Sequence, residues 1–408
     1  MSPPRVNLAV GQSGGPTAVI NASLVGILRE ARHHPQIGRV YGLVNGIEGV
    51  LAENLWDVTD TDEDTLRALR GTPGAALGSC RRKLKPEDND RLFQVFAAHG
   101  IRYFLYAGGN DSMDTCHRVR EAARRRAYEL YVMGVPKTID NDLAATDHCP
   151  GYGTAARFIA QTTQDTGHDL MALRTFVQVV ITETMGRNTG WLAAAAALGR
   201  EKAEDAPHLI YVPERRFDEA AFLRDVERAY REFGYVSVAV SEGVRDAHGT
   251  LVGDDNGAPV DAFGHRVAAL GRGVGPYLAD LVTVRLGLTA RCNRPGTIQR
   301  VSSAHFSSVD VDEAEEVGKA AVRQVVSGAD GYMVTLVRQP GPTYRSTTGL
   351  ASLAEVANAE RRLPDEYLTA DGMNVTPAFR DYALPLIGGP LPSVVRLQGK
   401  RVPCRIEP

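Results

Sequence analysis

The sequence predicts an α/β fold of two lobes with parallel sheets and an active site in the cleft between them. Three observations predict it. Apolar, strand-like runs alternate with amphipathic helical patterns along most of the chain, the signature of successive βα units. Several of those runs end in glycine turns or short polar loops that carry the chemistry-bearing side chains. At 408 residues the chain exceeds what one core usually serves, so two or three domains are expected. The boundary is placed at the Pro150-Gly151-Tyr152-Gly153 stretch, giving one lobe over residues 1–149, completed by part of 299–408, and a second over 150–298.

Residues 6–10 read as a buried strand, 11–16 as a glycine turn, and 17–31 as a helix whose Val19, Ile20, Leu24, Ile27 and Leu28 recur at helical spacing. The turn, GQSGGP, fits neither G-x-G-x-x-G nor G-x-x-x-x-G-K-[ST], which disfavours dinucleotide and P-loop readings. Residues 71–85 are glycine-rich and then basic; Arg82 and Lys83 read as surface charges. A helix over 88–99 leads into 101–142, around which the chain is organised. There an aromatic-rich strand, 103–107, meets Gly108 and Gly109, and a helix follows that Asp111 or Ser112 can cap. A helix opening after a glycine turn aims unpaired N–H groups at whatever sits there and favours an anion such as phosphate. A second strand, 131–135, ends at Pro136, followed by Lys137, Thr138, Ile139, Asp140, Asn141 and Asp142.

In a parallel sheet both strand ends face one crevice. That crevice would hold a phosphate cradle, a lysine and two carboxylates two residues apart, the set that phosphoryl transfer to a hydroxyl needs. One carboxylate can accept the hydroxyl proton while the other helps hold magnesium. Taken singly, the double glycine also fits a helix C-cap and the D-x-D a solvated acidic turn.

Beyond Asp142, a helix over 154–168, a strand over 176–181 and an alanine-rich helix over 192–199 continue the alternation, with Met185, Gly186 and Arg187 at a strand end. Residues 219–233 read as an amphipathic helix, and VSVAVSEG as a strand ending at Glu242. A helical pattern over 263–288 leads to ARCNRPGTIQR, where a turn through Pro295 and Gly296 could bring Arg291 and Arg300 to one phosphate. A helix over 312–326, capped by Asp312, is the clear element of the final hundred residues. Past Pro340 no chemistry is evident.

Composition excludes several classes. Basic and acidic residues number 46 and 49, a net charge of −3, so no overall field recruits nucleic acid or anionic lipid. Five cysteines without C-x-x-C spacing argue for reduced thiols and against zinc. No stretch has the length and apolarity of a signal peptide or a membrane span, so a cytoplasmic protein with no membrane partner is expected.

GGNDS at 108–112 followed by PKTIDND at 136–142 resembles the phosphofructokinase family, in particular its pyrophosphate-dependent branch. SGG at 13–15, LGS-x-R at 77–81, MGR at 185–187 and QR at 299–300 fall in the family's order. The resemblance implies two Rossmann-like lobes and reversible, Mg2+-dependent transfer from pyrophosphate to the 1-hydroxyl of fructose 6-phosphate, as in glycolysis and gluconeogenesis. It implies donor contacts at Gly14, Gly109, Asp111, Ser112 and Lys137, and acceptor contacts at Thr138, Ile139, Asp140, Met185, Gly186, Arg187, Glu242, Arg291, Thr297 and Arg300. Asp140 would be the base, with Lys137 and Arg81 stabilising the migrating group, and Asn110 and Asp142 would hold the metal. Asp111, where ATP-using members have glycine, and Lys137, where they also have glycine, both point to pyrophosphate. Asn110 departs from a common aspartate, Gln178 from an arginine that reaches the acceptor across a subunit interface, and Thr297 from a histidine. Another sugar phosphate or a polyol, or a catalytically weak regulatory paralogue, therefore stand as alternatives. A homodimer or homotetramer is the expected assembly.

Overall fold

The computed structural model describes residues 5–253 and 273–405, apart from residues 358, 398, 401 and 404. Among the described residues eleven strands, β1 (Val6–Gln12), β2 (Ile37–Leu43), β3 (Leu55–Asp57), β4 (Ile101–Gly108), β5 (Tyr131–Pro136), β6 (Val179–Thr184), β7 (Leu209–Tyr211), β8 (Val236–Ser241), β9 (Ala290–Asn293), β10 (Tyr332–Arg338) and β11 (Ser346–Ser352), form two sheets. The larger runs β11-β10-β5-β4-β1-β2-β3 and the smaller β7-β8-β6-β9. The smaller is parallel throughout. The larger is mixed, which corrects the expectation of parallel sheets: its centre is parallel, but β3 and β11 lie antiparallel at its two edges. β11 follows β10 directly, through residues 339–345, a connection too short for a parallel crossover, while β3 returns beside β2 after the short helix Gly46–Leu51.

β1 lies between β2 and β4, so the chain leaves it toward one edge and returns on its other side. At such a reversal the loops beyond the strand ends splay apart and leave a crevice. Register puts the turns there together, with Gln12 beside Ala107 and Gly108 beside Pro136. β1, β4 and β5 are apolar on both faces because helices cover both faces of the sheet.

Residues 308–356 belong to the first sheet and the helices on it, whereas Leu363, Leu368, Phe379 and Tyr382 share a core with Ile210 and Ala239 of the second sheet. The helix Ser308–Val326 crosses the helix Ile20–Ala31, and a Cβ on Gly26 would meet the Glu315 carbonyl oxygen, as one on Gly318 would meet that of Ser23. Glycine at both positions lets the two backbones touch. The later helix begins four residues before the expected start and is capped by Ser307, whose hydroxyl accepts from the Asp310 N–H; Asp312 lies within it and pairs with Arg70. The helix expected over 263–288 is seen as Val274–Leu286; its residues 263–272 lie outside the described residues. The alanine-rich segment is an α-helical turn, Trp191–Ala195, continued as 3₁₀ to Gly199. Buried Trp191 sits among Tyr152, Tyr367, Phe379 and Tyr382, joining the C-terminal segment to the second sheet's layer. Among the described residues no helix is long and apolar enough to cross a membrane.

Candidate active site

A cleft of about 440 Å³ opens beyond the strand ends, and most of the residues singled out in the sequence line it. From the first sheet come Gly14, Arg81, Gly109 to Ser112, Lys137 to Asp140, and Asp142; from the second come Met185, Arg187 and Glu242. Arg300 reaches in from the short helix Ile298–Val301.

The glycine turn after β1 is built for close approach. Gly14 has φ +76°, and a Cβ there would come within 3.2 Å of Lys137 Nζ. Ser79 Oγ donates to the Gly14 carbonyl at 2.5 Å and the Gly14 N–H to the Cys80 carbonyl at 3.1 Å, so the basic loop is tied to this turn and Arg81 is held over the cleft. Arg82 and Lys83 are exposed, as expected of surface charges, and stand where the cleft opens to the surface; Arg82 pairs with Asp88 and Lys83 Nζ lies 3.6 Å from the Asp111 carboxylate at the mouth.

Lys137 is 3% exposed, and its ammonium donates to the Gly15 carbonyl at 2.9 Å. Burial, reinforced by the nearby Arg300 and Arg81, lowers it to about 8 against the opposing pull of Asp140 and Asp142. Burial, then the Glu242 carboxylate, raises Asp140 above the usual carboxylate range while Arg187 and Lys137 oppose. Burial and Asp140 raise Asp142 likewise. Thr189 Oγ1 donates to the Asp140 carbonyl at 3.0 Å, tying the acidic turn to the loop that carries Arg187.

The helix after β4 spans Asn110–Arg125 with Gly109 at its N-cap, and neither Asp111 nor Ser112 caps it through its side chain. The first-turn N–H groups there are left to face the cleft. Asn110 Nδ2 donates to Asp142 Oδ2 at 2.8 Å, while Asn110 Oδ1 and Asp142 Oδ1 are buried and without partners. Two adjacent orphaned oxygens, one amide and one carboxylate, fit a hard cation that draws its other ligands from phosphate oxygens and water. Among the described residues no cluster of three or more His, Cys, Asp or Glu could hold a metal by itself.

Three expected acceptor residues are placed differently. Arg291, on β9, is exposed and does not line the cleft, so it does not converge with Arg300 on one phosphate. The turn through Pro295 and Gly296 forms, but it leads into the short helix that aims Arg300 alone inward. Thr297 precedes that helix and is exposed, and Gly186 bends the chain at φ +131° without lining the cleft. Gln178 is spent locally, accepting from the Thr289 N–H at 2.9 Å and donating to the Arg174 carbonyl at 3.1 Å. Sequence reasoning missed Glu360, which lines the cleft and accepts from Asn188 Nδ2 at 2.7 Å. No local pattern in NAERRLP marks it.

The phosphofructokinase family profile matches residues 7–325. The chain is 42% identical to a pyrophosphate–fructose 6-phosphate 1-phosphotransferase of Methylococcus capsulatus over 98% of both chains. It is 36% identical to a sulfofructose kinase of Alkalicoccus urumqiensis over 89% of this chain and 92% of that one. A solved pyrophosphate-dependent phosphofructokinase from Nitrosospira multiformis superposes with a TM-score of 0.85, at 38% identity and 98% coverage of both. This chain is a member of the phosphofructokinase family.

Proposed function

We propose that the chain transfers a phosphoryl group, reversibly and with Mg2+, from pyrophosphate to the 1-hydroxyl of fructose 6-phosphate. The observation that carries this reading is the buried Lys137 ammonium at the cleft floor, with Asp140 and Asp142 on the same turn and the Asp111 carboxylate at the mouth. The relatives' donor and acceptor support it.

Asp140 accepts the hydroxyl proton; a carboxyl raised by burial is better matched to that task than a free one. Lys137, buried at the cleft floor, and Arg81 offset charge on the phosphoryl group and on the departing phosphate. The glycine turns at Gly14 and Gly109 and the helix N-terminus at Asn110 cradle the donor. Arg187, Glu242 and Arg300 orient the acceptor. Bound between Asn110, Asp142 and the donor oxygens, Mg2+ would neutralise phosphate charge. The first sheet's lobe thus serves the donor and the second's the acceptor.

A second reading keeps the donor and changes the acceptor to another sugar carrying an anionic group. It is favoured by the placement of Arg291 and Thr297 outside the cleft wall and by the sulfofructose kinase relative. The assembly proposed is a cytoplasmic homodimer or homotetramer. Phe176, Val284 and Ile298, exposed on segments flanking or packed beside β9 at the smaller sheet's edge, are surface that a second copy would cover.

Steady-state assay of the purified chain with pyrophosphate and ATP, each against fructose 6-phosphate and other sugar phosphates, tests the reading. Pyrophosphate with fructose 6-phosphate should give the highest kcat/KM. Asp140→Asn should lower kcat roughly a hundredfold or more with little change in acceptor KM. Activity of that variant within about threefold of wild type would remove Asp140 from the base role.

A further inference from the structure

Asn141, between the two carboxylates, holds a left-handed backbone at φ +55° and is fully buried. A non-glycine residue there is uncommon and persists where its surroundings over-determine it. Every polar atom of its side chain is engaged: Nδ2 donates to the Tyr382 hydroxyl at 2.9 Å, and Oδ1 accepts from the Cys149 N–H at 3.0 Å. Its carbonyl accepts from Arg361 Nε at 3.2 Å and Nη2 at 3.0 Å.

Arg361 lies 220 residues further along the chain, in the segment past Pro340 where the sequence shows no chemistry. Its main-chain N–H donates to the Asp142 carbonyl at 2.7 Å. Its remaining guanidinium N–H groups reach the Thr146 carbonyl at 3.3 Å, the Asp147 carbonyl, and the Tyr382 hydroxyl at 3.2 Å. The five donors of the planar fork are thus all placed, four on carbonyls of the loop carrying Asp140 and Asp142 and one on the hydroxyl that also holds Asn141. The guanidinium stacks on Trp191, 4.5 Å from the ring centroid, and Trp191 Nε1 donates to the Arg361 carbonyl at 3.2 Å. Trp191 follows the loop of Arg187, so one side chain joins the acidic turn to the acceptor side of the cleft from behind. Arg361 itself does not line the cleft.

We propose that Arg361, with Tyr382 as its partner, is the positioning residue that fixes Asp140 and Asp142 relative to each other and to the acceptor loop. It sets the rate of phosphoryl transfer without touching either substrate. The inference rests on the reading of Asp140 and Asp142 as the reacting pair. Its energetic logic is that misplacing a reacting group by about 1 Å can cost on the order of a hundredfold in rate while binding groups stay put. Lysine, with a point charge and three donors, cannot reproduce the fork.

The test is steady-state kinetics of Arg361→Lys, Arg361→Ala and Tyr382→Phe beside wild type and Asp140→Asn, with the folded fraction of each measured by circular dichroism. Arg361→Lys should lose kcat by about tenfold or more with both KM values within about threefold. Tyr382→Phe, lacking one oxygen, should move the same way by less, and added guanidinium ion should restore part of the kcat of Arg361→Ala. A structural role alone predicts activity lost in proportion to folded protein and no rescue, and that result overturns the inference. So does a rise in KM at constant kcat, or kcat within threefold of wild type in the folded variants. If both Arg361 variants fail to fold, Tyr382→Phe decides by the same criteria. Wild type inactive on every donor and acceptor would overturn the functional reading and this inference together; active wild type with indifferent variants overturns the inference alone.

Discussion

Asp111 and Lys137 sit at opposite depths of one cleft, and the choice of donor turns on that difference. The Asp111 side chain is 74% exposed at the mouth beside Lys83, whereas Lys137 is sealed at the floor. An anion with two phosphates can lie between them, but a third phosphate carrying a nucleoside would have to pass the carboxylate, by bulk and by charge. Asp111→Gly should therefore admit ATP to a measurable kcat/KM while leaving Lys137 in place. Lys137→Gly should depress the pyrophosphate reaction by on the order of 3 kcal/mol at the transition state, far more than it helps ATP. The double variant need not be additive, because both residues line one small site. Steady-state kinetics of the three variants with each donor check this. Preference of wild type for ATP, or unchanged ATP use by Asp111→Gly, would refute the donor argument. These residues were legible because each stands in a short motif at a strand end, where the backbone dictates where the side chain points. Lys83 is the exposed charge its basic run suggests, but its place opposite Asp111 was not legible, since that pairing joins two separate loops. Arg300 reaches the cleft as expected, but the convergence of Arg291 with it was misjudged: spacing across a turn says that two side chains can converge, not that they do.

At the scale of elements, the loop after β5 is held by groups that the sequence scatters over almost two hundred positions. His148 is buried with Nδ1 2.8 Å from an Asp147 oxygen and Nε2 2.6 Å from Glu313 Oε2; Arg338 pairs with Asp147, and the hydroxyls of Tyr344 and Ser346 donate to Glu313. Burial alone would lower His148, but Glu313 and Asp147 outweigh it and hold the ring at about 9. Its folded value is raised above the unfolded one of about 6.5, so its stabilisation is complete below about pH 6.5 and is lost as pH rises through about 9. Asp147 and Glu313 are held below the ordinary carboxylate range despite burial, so their share is lost on acidification instead. Denaturant titrations of wild type and His148→Gln should differ by on the order of 3 kcal/mol near pH 6, and the gap should shrink toward pH 9.5. A constant gap over that range would mean the ring is neutral in the folded chain. Strands with apolar runs and helices with clear periodicity were readable because burial on one or two faces writes itself into the local pattern. β3, only three residues long, and β11, with its threonines, serines and glycine, carry too little apolar contrast to announce themselves. Glu360, Arg361 and Tyr382 were invisible for a deeper reason: what they do is contact a distant loop, and no local period encodes that.

For the whole molecule, a net charge of −3 conceals a cleft in which Arg81, Lys137, Arg187 and Arg300 converge from four separate stretches of chain. Part of their charge is met by Asp140, Asp142, Glu242 and Glu360, yet the cations still oppose one another: Arg300 is lowered by burial and then by Arg81, and Lys137 by burial and then by Arg300. Arg300 Nε is also buried without a partner. The cleft thus gathers cations that oppose one another, and an anion that binds only the folded chain there stabilises all of it by mass action. At about one hundred times its dissociation constant, pyrophosphate should add about 2.7 kcal/mol, which for a chain of this size is an unfolding temperature higher by on the order of a few degrees. The rise should grow with the logarithm of ligand concentration, as linkage demands. It should largely vanish in Lys137→Gly, which removes the deepest cation, and should persist in Asp140→Asn, which removes the base and leaves the cradle. Differential scanning calorimetry of the three proteins across a pyrophosphate series, with sulfate at matched ionic strength as the control, reads this directly. An equal rise with sulfate, or an undiminished one in Lys137→Gly, would mean that general screening of the surface, not an anion seated on the lysine, raises the stability.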